Sequence, residues 1–177
     1  MELMNGRPAN CEGRLEKEIR CYDLLDSLGI DYQRIDHEPA NTMEACAAVD
    51  EALKATICKN LLLCNRQCTQ FYLLLLPGGK IFKTSAVSKQ IGSSRLSFAP
   101  EEMLFQRLRC HGGSASPLGL IFPEARDVTL IVDSALRDVP TLAFHPCDNT
   151  RTVAMSAGDF FGVFLPKTGV EAVDVKF

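Results

Sequence analysis

The chain has 177 residues, 46% of them hydrophobic and 23% charged, with a formal net charge of −3. That length supports one well-buried core and is short for two. The acidic balance excludes a protein that wraps nucleic acid through a broad basic face, while leaving room for one that handles a single tip of an RNA.

No membrane contact is expected, because the longest apolar runs, such as Phe71 to Leu76, fall far short of the roughly 20 residues a spanning helix needs. The first twenty residues carry no apolar block of signal-peptide type, so a cytoplasmic location is expected. In that reducing compartment the eight cysteines read as free thiols. Cys64 and Cys68 lack a second pair at zinc-ribbon spacing, so no metal and no cofactor is expected.

In chain order, residues 1–11 form a segment expected to be disordered, and residues 12–177 a single domain. Leu15, Ile19, Tyr22, Leu25 and Leu28 recur at helical spacing over 12–29, with Gly29 as the stop. A short strand is expected over 31–37, ended by Pro39. A second helix follows from Asn41 or Thr42 to Leu53, capped by one of those two side chains. Strands over 56–64 and 70–76, joined by a short polar turn, predict an antiparallel hairpin.

Beyond the Pro77-Gly78-Gly79 turn, a short strand at Ile81-Phe82 and helices near 85–91 and 100–108 are expected. A glycine-rich loop over 111–117 comes next. Strands near 128–132, 142–144, 153–155 and 172–175, with a helix over 157–165, complete the chain. Hairpins with irregularly placed helices predict an α+β fold around a mixed, mostly antiparallel sheet with surrounding helices.

Three stretches hold side chains suited to chemistry. On the first strand of the hairpin Lys59 shares a face with Ile57, Leu61 and Leu63, and an ammonium beside apolar surface needs a carboxylate, phosphate or carbonyl partner. The plainer reading is a sheet-edge lysine that keeps its head in water. In the loop Gly113-Ser114-Ala115-Ser116-Pro117, small residues allow close approach of a ligand, and successive N–H groups can hold an oxyanion. The same residues also make an ordinary turn.

His145-Pro146 with Asn149-Thr150 follows a strand end, where histidine and asparagine can bond ribose hydroxyls or a carbonyl, or simply turn the chain. A Cys147–His145 nucleophile pair lacks a third member. His37 and Thr42 can line the same site or belong to a strand-to-helix turn.

The order of these pieces resembles one family. His37-Glu38-Pro39 with Thr42, Lys59-Asn60-Leu61-Leu62-Leu63, Lys83, Arg95-Leu96-Ser97-Phe98, Gly113 to Leu120, and His145-Pro146 with Asn149-Thr150 resemble the YbaK/ProX aminoacyl-tRNA deacylases, whose domain is also found inserted in bacterial-type prolyl-tRNA synthetases. The resemblance spans about residues 17 to 166. Asn60 beside the lysine and the His145 segment look most like the stand-alone ProX (PrdX) branch.

The resemblance implies hydrolysis of mischarged tRNA, alanyl-tRNA(Pro) above all, with cysteinyl-tRNA(Pro) or mere binding of aminoacyl-tRNA or a free amino acid as alternatives. It implies Lys59 and Gly113 as catalytic. It also implies that Asn60, Thr42, His37, Ser114, Ala115, Ser116, Pro117, His145 and Asn149 contact substrate. The partners it implies are the tRNA acceptor end and, for docking, prolyl-tRNA synthetase or another tRNA-binding protein. Leu62 and Cys147 depart from the family's aromatic and aliphatic preferences, which bears on pocket size.

Overall fold

The computed structural model describes residues 2–39, 48, 49 and 51–177. Thr42 and the start of the helix expected there lie outside the described residues. Among the described residues nine strands form one mixed sheet in the order β1-β2-β8-β7-β3-β4-β6-β9, with β5 also paired to β3.

The strands are β1 (Leu3–Asn5), β2 (Tyr32–Asp36), β3 (Thr56–Asn65), β4 (Phe71–Pro77), β5 (Leu96–Phe98), β6 (Val128–Asp133), β7 (Thr141–Phe144), β8 (Arg151–Ser156) and β9 (Ala172–Val175). The β3–β4 hairpin, β1–β2, β2–β8, β3–β5 and β7–β8 are antiparallel. The β3–β7, β4–β6 and β6–β9 pairs are parallel. The α+β architecture and the hairpin follow the sequence expectation. Residues 3–5, inside the segment expected to be loose, add the outer strand β1.

Central strands are apolar on both faces. Leu73, Leu75, Leu130 and Val132 face the main core with Tyr22, Phe122, Phe144 and Phe160. Leu74, Leu76 and Ile131 face the other side with Val87 of helix α2 (Thr84–Ile91). Further along that second face, Val49 and Leu53 cover Ile35, Ala143 and Ala154.

Helix α1 (Glu16–Ser27) packs on the main-core face, together with α3 (Glu101–Leu108) and a C-terminal helix, α4. The last is made of an α-turn Ala157–Asp159, a π segment Phe160–Phe164 and an α-turn Leu165–Thr168. Among the described residues no helix is long and apolar enough to cross a membrane.

Two local expectations change. Ile81-Phe82 is not a strand; it leads into α2, with Ile81 90% exposed. The buried face of α1 is Glu18, Cys21, Tyr22 and Leu25, whereas Leu15 is exposed.

Charge pairing is what turns the helix. Glu18 Oε1 accepts from Arg14 Nη1 at 2.6 Å and from the Tyr22 hydroxyl at 2.8 Å. Arg14 also donates to Asp36 at 2.5 Å, and Arg34 reaches the same carboxylate at 2.6 Å. Against the cost of burial, these two arginines hold the Asp36 carboxyl below its ordinary range.

Removing one member of a buried ionic cluster strands its partners, at a cost of about 3–5 kcal/mol. Glu18→Ala is therefore expected to lower unfolding free energy by about that amount in urea titration. A change below about 1 kcal/mol would show that the cluster does not anchor α1.

Candidate active site

The sheet is weakest where β3 meets β7. These two parallel strands pair only at Thr56 with Leu142 and Ile57 with Ala143. The same edge of β3 is taken up again by β5 at Leu63 with Phe98. Among the described residues, no strand pairs with residues 59–61 on that edge. The carboxyl end of β7 and this stretch of β3 thus bound a crevice at a break in the sheet, the place where open sheets bind ligands.

One face of the crevice carries Lys59 and two histidines. Alternation puts Lys59 on the side of Ile57, Leu61 and Leu63, as the sequence predicts, and its Nζ donates to the Lys80 carbonyl at 3.3 Å. His145 stands two residues beyond Ala143, as Lys59 stands two beyond Ile57, so the two share a face just past the last paired residues. The His37 ring lies 6.0 Å from the His145 ring.

Carbonyls only accept, which assigns the protons. His37 Nδ1 donates to Glu38 O at 2.7 Å, and His145 Nδ1 donates to Arg151 O at 2.6 Å. His37 Nε2, 2.8 Å from Thr152 Oγ1, then accepts from that buried hydroxyl. His145 Nε2 remains an acceptor with no partner among the described residues.

The opposite rim is built from Asn60 and the glycine-rich loop. Asn60 Nδ2 donates to Ala115 O at 3.0 Å, while its buried Oδ1 has no hydrogen-bond partner among the described residues. Ser114 Oγ accepts from His111 N and donates to His111 O, each at 3.0 Å, and Ser116 Oγ accepts from Leu118 N at 3.1 Å. The Glu101 carboxylate receives Gly112 N at 2.9 Å.

With these groups committed, the N–H groups of Gly113 and Ala115 are left without acceptors among the described residues. Gly113 has φ +83°, and a Cβ on it would lie 3.8 Å from Asn149 Nδ2, so the two loops abut. Pro117 opens the 3₁₀ turn Pro117–Ile121. Behind it, Gly119 packs so closely that a Cβ there would come within 2.5 Å of Leu108 O, which fixes the base of the loop.

Lys59 and the Gly113 loop therefore lie on opposite sides of β3. Cys147 does not join them. Its Sγ is 3.9 Å from Cys21 Sγ within the main core. A hydrogen bond from Cys110 favours the thiolate, but the bond with Cys21 and burial outweigh it and push the Cys147 thiol well above its ordinary pKa. A nucleophilic Cys147–His145 pair is thus unsupported.

Sequence reasoning missed Thr152 and Glu101, which hold His37 and the loop; nothing in their spacing sets them apart. A groove of about 530 Å³ lined by Asn5, Asp26, Tyr32, Gln33 and Ser156 opens at the other end of β2 and β8. Its lining offers neither lysine nor histidine, so the crevice is the better candidate.

The family model for the aminoacyl-tRNA editing domain matches residues 37–162, which include both rims of the crevice. The chain belongs to this family. It is an aminoacyl-tRNA-editing deacylase, a hydrolase of translation fidelity.

Among its relatives is the prolyl-tRNA editing protein ProX of Acetoanaerobium sticklandii, 34% identical over 76% of this chain and 82% of that protein. Another is the prolyl-tRNA synthetase associated domain-containing protein 1 of Mus musculus, 30% identical over 96% of this chain and 99% of that one. The fold matches a solved structure described as a candidate trans-editing enzyme for prolyl tRNA synthetase. That match has a TM-score of 0.69 and 17% identity, covering 92% of this chain and 98% of the other.

Burial holds the His145 imidazole below its ordinary pKa of 6.5, with His37 adding to the effect, against the opposing pull of the Arg151 carbonyl and Asp148. The unfolded chain then binds this proton at higher pH than the folded one. The stability contributed by neutral His145 is complete above the ordinary value and is lost as pH falls towards the lower folded value. Unfolding titrations between about pH 8 and about pH 5 should show His145→Asn losing less stability on acidification than the wild type. Equal losses would mean that His145 titrates normally.

Proposed function

We propose that this editing domain works in trans on tRNA(Pro) and removes alanine from its mischarged 3′ end. The observation that carries this reading is the crevice itself. Among the described residues it presents one ammonium held only by a carbonyl, two N–H groups without acceptors, and a neutral imidazole nitrogen with an open lone pair. Those groups match a phosphate, a developing oxyanion and a ribose hydroxyl.

In this scheme Lys59 exchanges the Lys80 carbonyl for the phosphate of the terminal nucleotide. Gly113 and Ala115 N–H groups receive the negative charge that grows on the ester carbonyl oxygen as an oxygen nucleophile attacks. Asn60 Oδ1 takes a hydrogen bond from the amino group of the aminoacyl moiety, and His145 Nε2 accepts one from the ribose 2′-hydroxyl. His37 fixes the rim beside it.

Water supplies the new C–O bond, the bond to the ribose 3′-oxygen breaks, and that oxygen leaves as a hydroxyl. The nucleophilic water gives its proton to the 2′-hydroxyl or to a second water, which hands a proton of its own to the departing 3′-oxygen, so no protein side chain is needed as general base.

Selection by size fits the loop. A pocket made for proline rejects smaller amino acids by only about 1–3 kcal/mol, so a second, smaller sieve is useful. Gly112, Gly113, Ser114, Ala115 and Ser116 bring little bulk to that sieve. The net charge of −3 gives this chain little general grip on tRNA. Docking to prolyl-tRNA synthetase, or to another tRNA-binding protein in the cytoplasm, would raise the local concentration of substrate.

The test is deacylation of tRNA(Pro) charged separately with alanine, cysteine, serine and proline. The wild type should release alanine and spare proline, and Lys59→Ala should lose about 100-fold or more in rate with its fold intact by circular dichroism. Undiminished turnover by Lys59→Ala would remove the lysine from the reaction. Preferred loss of cysteine would reassign the amino acid.

A further inference from the structure

We propose that Phe98 is the stacking platform for the terminal base of the tRNA acceptor end; this rests on the deacylase reading of the crevice. Phe98 is the last residue of β5 and sits directly across from Leu63 of β3. Leu63 is fully buried, yet Phe98 is 62% exposed, an unusual state for a phenylalanine paired with a core residue. Its neighbours hold it there: Leu96 is buried against the second-face core, and Ala99 N donates to Leu62 O at 2.9 Å. The ring is therefore presented on a fixed strand.

Its position suits a nucleoside. Directly opposed residues share a face, so Phe98 stands on the face of Leu63, Leu61 and Lys59. It closes the crevice at the end away from His145. Three residues of β3 lie between Lys59 and Leu63, a rise of roughly 13 Å over four steps. One nucleotide laid along the strand, its phosphate met by the long Lys59 side chain, bridges that distance.

An ammonium at one end and an exposed aromatic face at the other is the pattern by which proteins hold single-stranded ends, charge on the backbone and stacking on the base. The surrounding charge agrees. Arg95, three residues before Phe98, and Lys83, at the start of α2, are exposed and form no ion pair among the described residues, so they are open to phosphates further up the acceptor strand.

The probe is an uncharged tRNA(Pro) acceptor minihelix ending in 2-aminopurine, whose fluorescence falls on stacking, used beside alanyl-minihelix deacylation. The wild type should quench the probe. Phe98→Ala should abolish the quench and raise KM roughly ten- to hundred-fold with kcat nearly unchanged, and Phe98→Tyr should restore both. Because the ring is exposed, melting temperatures should agree among the three proteins.

A quench and KM that do not depend on Phe98 would overturn the proposal and point to a protein contact at this ring. Failure of the wild type to deacylate, with the quench still dependent on Phe98, would overturn the deacylase reading and leave the stacking platform standing.

Discussion

The parting of β3 and β7 after two paired residues is the constraint on which the site depends. Parallel strands that stay together form a closed, dry surface, and their backbone groups satisfy each other. Here, among the described residues, the pairing with β7 ends at Ile57 and Ala143, and residues 59–61 have no strand partner on that edge before β5 arrives. The interval leaves Lys59 and Asn60, on opposite faces of one strand, each only partly buried. A single dipeptide, Lys59-Asn60, can therefore place a cation on one side and an amide on the other, and the two loops close around them.

The polar groups around that break are held before any substrate arrives. Carbonyls at Glu38 and Arg151 fix the ring protons of His37 and His145, and the Thr152 hydroxyl links them. Asn60 is tied to Ala115, and the loop hydroxyls of Ser114 and Ser116 are spent on the loop's own backbone. Among the described residues, these committed bonds leave Asn60 Oδ1 and the N–H groups of Gly113 and Ala115 without a hydrogen-bond partner. Burial keeps the His145 ring neutral more readily than a free imidazole, and the neutral ring retains a lone pair that accepts a hydrogen bond.

Much of this was legible in the chain because it is local. Alternation alone put Lys59 on the face of Leu61 and Leu63, the polar turn gave the β3–β4 hairpin, and the strand at 172–175 has the bounds expected. What failed was set by distant partners. Leu96–Phe98 is too short to carry a pattern of its own and is a strand only because Asn65, Cys64 and Leu63 receive it. Ile81-Phe82 has strand composition, but it follows the Lys80 carbonyl that holds Lys59 and runs into α2.

The apolar stripe on α1 hid the fact that Glu18 is the buried member, since only its arginine and tyrosine partners make that burial tolerable. The crevice joins strands more than eighty residues apart, a pairing no periodicity encodes. Motif order stood in for that missing geometry, and the match of the editing-domain family over residues 37–162 agrees with it.

The central claim is that the break between β3 and β7 receives the aminoacyl end of tRNA. The most direct measurement is amide NMR of the full chain titrated with a non-hydrolysable analogue, alanine joined to adenosine through a 3′-amide. The account predicts the largest shifts at Asn60, Gly113, Ala115 and His145. Shifts confined to the groove lined by Asn5, Asp26 and Gln33 would contradict it and move the site to the other end of the sheet.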